Sequence, residues 1–351
     1  MQMIQKILVN NMKQNISRDN HFVPQVYLRN WGEQNTIMTY ELLVPNENVP
    51  MWKKKSIEYS AFIENLYVRV DKGNELDDFE KMFRDNYETP VKMSLDKANG
   101  DFKLTMDDWK LLIDFTASQI VRTPAFYERL QPILIKAFAK GLEETAEELK
   151  HIDKSLIEER KIVQHQDRIA LPIKIERTGE MADEEHEYVQ ISGTVGKSTW
   201  LWAIDNSLLK TLKKLHDYKW SILICDESIS WPTSDNPVVC INHFSEDRYN
   251  FFGVIGRIGN EIIFPISPCR ALYLQIGKKH PARIKLNAKE SNKVKRVIVE
   301  NAFRYIYSYD KDDELTKWRP RLVDLEGYQL DKKKIDEWYE QYKIAEGHYY
   351  S

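Results

Sequence analysis

Trp220-Ser221-Ile222-Leu223-Ile224-Cys225 decides the fold class. It follows a stretch of helical spacing and opens a succession of short apolar or β-branched runs: Pro237–Asn242, Phe251–Arg257, Glu261–Phe264 and Ala271–Ile276. Gly, Pro, Asn and Asp bound these runs, as they bound strands joined by turns. Between two of them Ile258-Gly259-Asn260 predicts a tight hairpin. Strands in close succession with no helix between them pair antiparallel, because a parallel pair needs a long crossover.

Upstream the apolar period is helical. Leu76, Phe79, Met82 and Phe83 predict a helix from Asn74 to near Gly100. Thr105 is a plausible N-cap, with Asp107 and Asp108 placed where negative charge suits the helix dipole. Trp109, Leu112, Ile113, Phe115, Ala117 and Ile120 form the face of that helix. Pro124 then kinks or restarts it, having no N–H and clashing with the preceding turn. The continuation runs to about Lys150, residues 141–168 read as a charged helical arm, and another helix covers Trp200–Leu215. Short β-type runs precede all of this, at Thr36–Leu43 and Ser56–Val70, and helices follow the sheet at Lys289–Tyr307 and Lys332–Tyr342. The fold class expected is α+β: predominantly helical, with an antiparallel sheet in the C-terminal half and short N-terminal strands. The layout expected is a flexible lead-in over 1–20, one domain over 21–310, and a helical extension over 311–351.

The composition narrows the function classes. A net charge of −3 and a pI near 6.3 give no global electrostatic footprint for nucleic acid. Cys225, Cys240 and Cys269 are far apart and odd in number, which argues for a reducing compartment. None of the eight histidines has zinc-ligand spacing with a cysteine. No run approaches a membrane span, and the apolar run near Met1 is too short for a secretory signal. A cytoplasmic protein is expected.

Two glycine motifs invite a nucleotide reading and fail it. Gly193-Thr194-Val195-Gly196-Lys197-Ser198 ends like a phosphate loop, but that motif requires glycine at 191, which is Ile. Gly253, Gly256 and Gly259 are spaced G-x-x-G-x-x-G inside a strand region, unlike a dinucleotide fingerprint. Neither a P-loop nucleotide nor NAD is expected.

Four polar clusters in apolar surroundings remain. The first is His21-Phe22-Val23-Pro24-Gln25-Val26-Tyr27-Leu28-Arg29-Asn30-Trp31, with a histidine able to act as base, ligand or buried hydrogen-bonding group. The second is Gln119-Ile120-Val121-Arg122-Thr123-Pro124, whose Gln119 and Arg122 share a helix face. The third is Thr233-Ser234-Asp235-Asn236-Pro237, a tight turn that presents a carboxylate at a strand end. The fourth is Phe264-Pro265-Ile266-Ser267-Pro268, which fixes extended backbone. In this order the blocks resemble the H-[YF]-V-P-x-x-Y-L-[RK]-x-[FW], R-T-P, S-D-N-P and F-P-[LI]-S-P motifs of the family called domain of unknown function 4238, over roughly residues 20–310. Phe22 and Trp31 stand where Tyr and Phe are more usual. The resemblance implies a prokaryotic cytoplasmic protein and assigns no reaction.

The residues themselves suggest chemistry. Glu80 and Glu88 lie eight apart on one predicted helix, and Glu64 sits in a mostly apolar run. Acids facing a core need partners, for which Arg29 and Arg122 are the natural choices. One expectation is a metal-assisted, nuclease-like phosphodiester hydrolase. His21, Asp235, Glu64 and Glu88 would act catalytically, and Tyr27, Arg29, Gln119, Arg122 and Asn236 would bind substrate. Asp235 would hold Mg²⁺ or Mn²⁺ if a carboxylate cluster forms. A second reading is a non-catalytic module for a small anion or nucleotide, which predicts a concave apolar pocket with few polar groups. A third is a purely structural polar network. The partner expected is a small anionic ligand or a nucleic-acid phosphate, with no membrane; the oligomeric state is not specified.

Overall fold

A computed structural model describes residues 16–71, 74–149, 173–181, 187–193, 195–245, 248–251 and 256–350. Of the expected lead-in, the last residues are packed: Asp19–His21 (β1) pairs with Phe62–Glu64 (β5), and the Ser17 amide donates to Asp77. Of the charged arm, residues 150–168 lie outside the described residues.

Two sheets organise the molecule. The first has four strands, in the order Thr233–Ser234 (β11), Tyr305–Ser308 (β17), Thr36–Glu41 (β2) and Trp52–Ser56 (β4), all antiparallel. Side chains alternate across a strand. Tyr40, Trp52 and Ile306 therefore pack on one face against Val299 and Leu315, while Thr39, Lys55, Tyr305 and Tyr307 share the other. The second sheet has six strands: Arg248–Asn250 (β13), Val239–Ser245 (β12), Glu261–Ser267 (β14), Arg270–Gln275 (β15), Ser221–Ile224 (β10) and Arg283–Lys285 (β16). It is antiparallel except at its edge, where β16 runs parallel to β10. One face packs on Trp231, Val297 and Ile298; the other joins the main core through Ile222, Ile262, Phe264 and Leu272.

The helices follow the periodicity with several changes; the one expected over Trp200–Leu215 is α-helical over Lys197–Asn206 and goes on as a π turn and a 3-10 segment. The first predicted helix starts late: Asn74–Leu76 (β7) pairs with Arg69–Asp71 (β6), and helix begins at Asp78. Between Asp78–Phe83 and Thr89–Asn99 a π-helical turn spans Arg84–Glu88, just before Pro90, whose missing N–H a regular helix would need. The predicted helix Lys289–Tyr307 ends at Glu300 instead, because Asn301 turns the chain and Tyr305–Ser308 becomes β17. Of the expected strand Phe251–Arg257, residues 252–255 lie outside the described residues; the turn at Ile258-Gly259-Asn260 bonds to Ile276, and β14 pairs with β12 and, through a tight hairpin, with β15. Other expectations hold closely. Thr105 and Asp108 form a reciprocal capping box for Met106–Val121, and a new helix starts at Pro124 and runs to Leu149. Lys197–Asn206 and Leu325–Tyr350 are the remaining long helices that bear on the site.

Candidate ligand-binding cavity

The four sequence blocks meet in space. Tyr27 of the first block donates to the Pro265 carbonyl of the fourth at 2.7 Å and lies 2.6 Å from the Thr233 hydroxyl of the third. Its ring stacks on Phe264 with centroids 5.1 Å apart. The Trp31 indole donates to the Trp231 carbonyl at 2.7 Å. Arg122, from the second block, donates to the His21 carbonyl and to the Glu88 carboxylate, the latter at 2.6 Å. Its guanidinium lies over the Phe83 ring, and the Tyr67 hydroxyl donates to its backbone carbonyl. Fully buried, Arg122 carries a charge that only such pairing makes tolerable. Glu80, nearby, has no partner for Oε2, and burial raises its pKa to about 7 against the pull of Arg122.

Each expected site residue can now be placed. The His21 ring lies 3.0 Å from the Glu58 carbonyl and 3.3 Å from the Gln25 amide, with its pKa lowered by burial. Both Asp235 oxygens accept backbone N–H bonds, from Phe303 at 2.9 Å and Arg304 at 2.6 Å, and burial raises its pKa to about 6. Asn236 donates to the Asn301 carbonyl at 3.0 Å, so this pair fixes the turn that ends helix 288–300. Gln119 is buried beside Ser118. Arg29 is exposed on a 3-10 turn, apart from the acids expected to need it. Glu64 is exposed and accepts from Asn65. His21, Arg122 and Glu88 thus come together; Asp235 and Asn236 belong to a second cluster. Among the described residues no three His, Cys, Asp or Glu side chains gather to hold a metal ion.

The open space lies beside these clusters. A cavity of about 640 Å³ is floored by the free face of the four-stranded sheet, through Thr39, Lys55, Tyr305 and Tyr307. Asp235 and Glu64 also reach it. Aromatic side chains contribute much of its wall, with Phe22, Tyr59 and Phe62 on one side, Tyr127 at the start of helix 124–149, and Trp338 and Tyr342 from helix 325–350; charged side chains, among them Glu128, Asp331, Lys334 and Asp336, share it. Val195-Gly196-Lys197, entering helix 197–206, completes the wall. The Thr39 hydroxyl is buried here with no hydrogen-bond partner.

Charges around this cavity differ in one respect. Lys55 pairs with Glu41 at 2.6 Å, Arg304 with Asp331 at 2.9 Å, and Lys334 with Glu128. Lys197 has no carboxylate partner among the described residues. Its Nζ donates to the Asn65 carbonyl at 2.5 Å and faces the Tyr339 and Tyr342 rings at 4.7 and 4.9 Å. The contrast is with Lys295, the other buried lysine among the described residues, which meets Asp312 at 2.5 Å. Lys197 is 2% exposed, and this burial lowers its pKa to about 7, the more distant Glu75 opposing the shift. The sequence signal was the Gly196-Lys197-Ser198 tail, whose spacing excludes a phosphate loop but whose lysine still lies on the cavity wall.

The family model described as "Protein of unknown function (DUF4238)" matches residues 19–312, most of the chain. The chain belongs to this family. No curated protein and no solved structure matches it. All four sequence blocks fall within the matched DUF4238 span, as do Asn65 and Lys197, whereas helix 325–350 lies beyond it. The bonds from Tyr27, Trp31 and Arg122 give the DUF4238 blocks a structural role, joining the N-terminal segment to the helices and the sheet. Among the described residues no helix is long and apolar enough to cross a membrane.

Proposed function

We propose that this chain is a binding module for a small, flat, acidic organic molecule, whose negative charge lies beside Lys197. One observation carries the reading: a buried lysine without a carboxylate partner stands on the wall of an aromatic cavity. A buried charge is costly unless paired, so Lys197 either gives up its proton or gains an anion. A ligand supplies that anion, and the aromatic walls supply stacking surface. About 640 Å³ is the size of a small-molecule site, and too small for a length of nucleic acid.

The phosphodiester-hydrolase reading has less in its favour. It needs His21 and Asp235 available for proton transfer or metal binding, and both oxygens of Asp235 already accept backbone bonds. Thermal-shift measurements with benzoate, phenyl phosphate and adenosine monophosphate, against phenol as a neutral control, test the binding reading. A ligand at ~100 times its Kd adds about 2.7 kcal/mol to stability. The acids should raise Tm and phenol should not, and Lys197→Met should abolish the rise. Equal shifts in the wild type and the variant would refute the role of Lys197.

A further inference from the structure

The helix that closes the cavity is not part of the region that defines the family. The match ends at residue 312, and Leu325–Tyr350 begins beyond it. This helix nevertheless contributes Trp338 and Tyr342 to the cavity wall, and without it that side would lie open. Some of its attachments are exposed ion pairs, such as Lys334 with Glu128, which contribute little in water. Trp338 adds ring contacts, with centroids 4.8 Å from Tyr127 and 5.3 Å from Trp200. Tyr339 donates to Glu75, Tyr342 accepts from the Val70 amide, Asp331 pairs with Arg304, and the Tyr339 and Tyr342 rings present their faces to Lys197. An ammonium is drawn to a ring's negative face, and a neutral amine is not.

We propose that helix 325–350 is the ligand-selecting wall of this cavity and is latched to the family domain through Lys197. Trp338 and Tyr342 are the surfaces on which a flat acidic ligand stacks, and the Lys197 Nζ, fixed by the Asn65 carbonyl, is the point on which the Tyr339 and Tyr342 rings close. The selecting half rests on the binding reading above; the latch does not. Around Lys197 the charged and titratable groups are Glu75 from β7, itself paired with Arg18, and Tyr339, Tyr342 and Lys343 from the helix.

Amide hydrogen exchange on the full chain at pH 7 reads the latch. Lys197→Met, which removes the Nζ with its bond to the Asn65 carbonyl and its ring contacts, should speed exchange over 325–350 about tenfold, with amides of β14 and β15 unchanged. Lys197→Arg should stay near wild type in the helix. Unchanged helix exchange in Lys197→Met, or equal acceleration in helix and sheet, overturns the latch. Trp338→Leu reads selection. It should weaken binding of phenyl phosphate about tenfold while leaving inorganic phosphate unaffected, and a parallel loss of both overturns the stacking role. Failure of phenyl phosphate to bind the wild type counts against the binding reading and the selecting half together. The exchange result still decides the latch.

Discussion

The Lys197 ammonium and the Asn65 carbonyl are 2.5 Å apart, and Asn65 aims that carbonyl from a left-handed backbone conformation, φ 55°. Asparagine tolerates this region better than most residues. Arg18 fixes Asn65 further, donating to its side chain at 2.8 Å. The lysine therefore has a fixed acceptor but no counter-charge among the described residues, and its protonation becomes a property of the fold.

Stability should respond to pH through this group. The folded chain gives up the Lys197 proton near pH 7, whereas an unfolded lysine holds it to about 10.5. Between these values the unfolded state binds more protons, so stability rises with pH across the window and is lost again as pH falls from about 10.5 to 7. In urea titrations from pH 7.5 to 9.5, Lys197→Met should flatten that rise.

Glu80 should show the opposite slope. Its carboxyl is raised from 4.5 to about 7, so the folded state binds the extra proton; the contribution is complete below 4.5 and lost as pH rises through 7. Glu80→Gln should leave stability nearly unchanged at pH 4.5. At pH 8.5 it should gain on the order of 2–3 kcal/mol, from about 1.4 kcal/mol per pKa unit. Chemical denaturation at the two pH values checks the difference.

Arg122→Met removes the partner of a half-buried Glu88 and the donor to the His21 carbonyl. Breaking such a pair typically costs ~3–5 kcal/mol. A loss below about 1 kcal/mol by urea unfolding would contradict a structural role for this block.

Tyr27→Phe keeps the ring stacked on Phe264 and deletes a hydroxyl shared by Thr233 and Pro265. Leaving those buried groups unsatisfied should cost about 1–3 kcal/mol. The Tm should fall without a change in ligand affinity, since the hydroxyl is spent inside the core.

Much of this was legible in the sequence because local chemistry set it. The Thr105 cap, the break at Pro124 and the sheet strands after Trp220 each follow from residues close in the chain. Elements that depend on distant partners were not legible. Tyr305–Ser308 is a strand because β2 and β11 lie beside it, although its apolar spacing also suits the preceding helix. The polar blocks were recognisable as a group, but not what occupied them. Arg122, Asp235 and Tyr27 look like free chemistry in one dimension and are bound to backbone or core in three. Lys197 went the other way. Spacing alone made its motif meaningless, and only burial without a carboxylate partner marks it out.

Proton linkage of ligand binding tests the central claim most directly. Phenyl phosphate is titrated calorimetrically at pH 8 in buffers of different ionisation enthalpy. An anion placed beside Lys197 restores its charge, so binding should take up close to one proton in the wild type and none in Lys197→Met. Binding with no proton uptake in the wild type, or the same uptake in the variant, would contradict it.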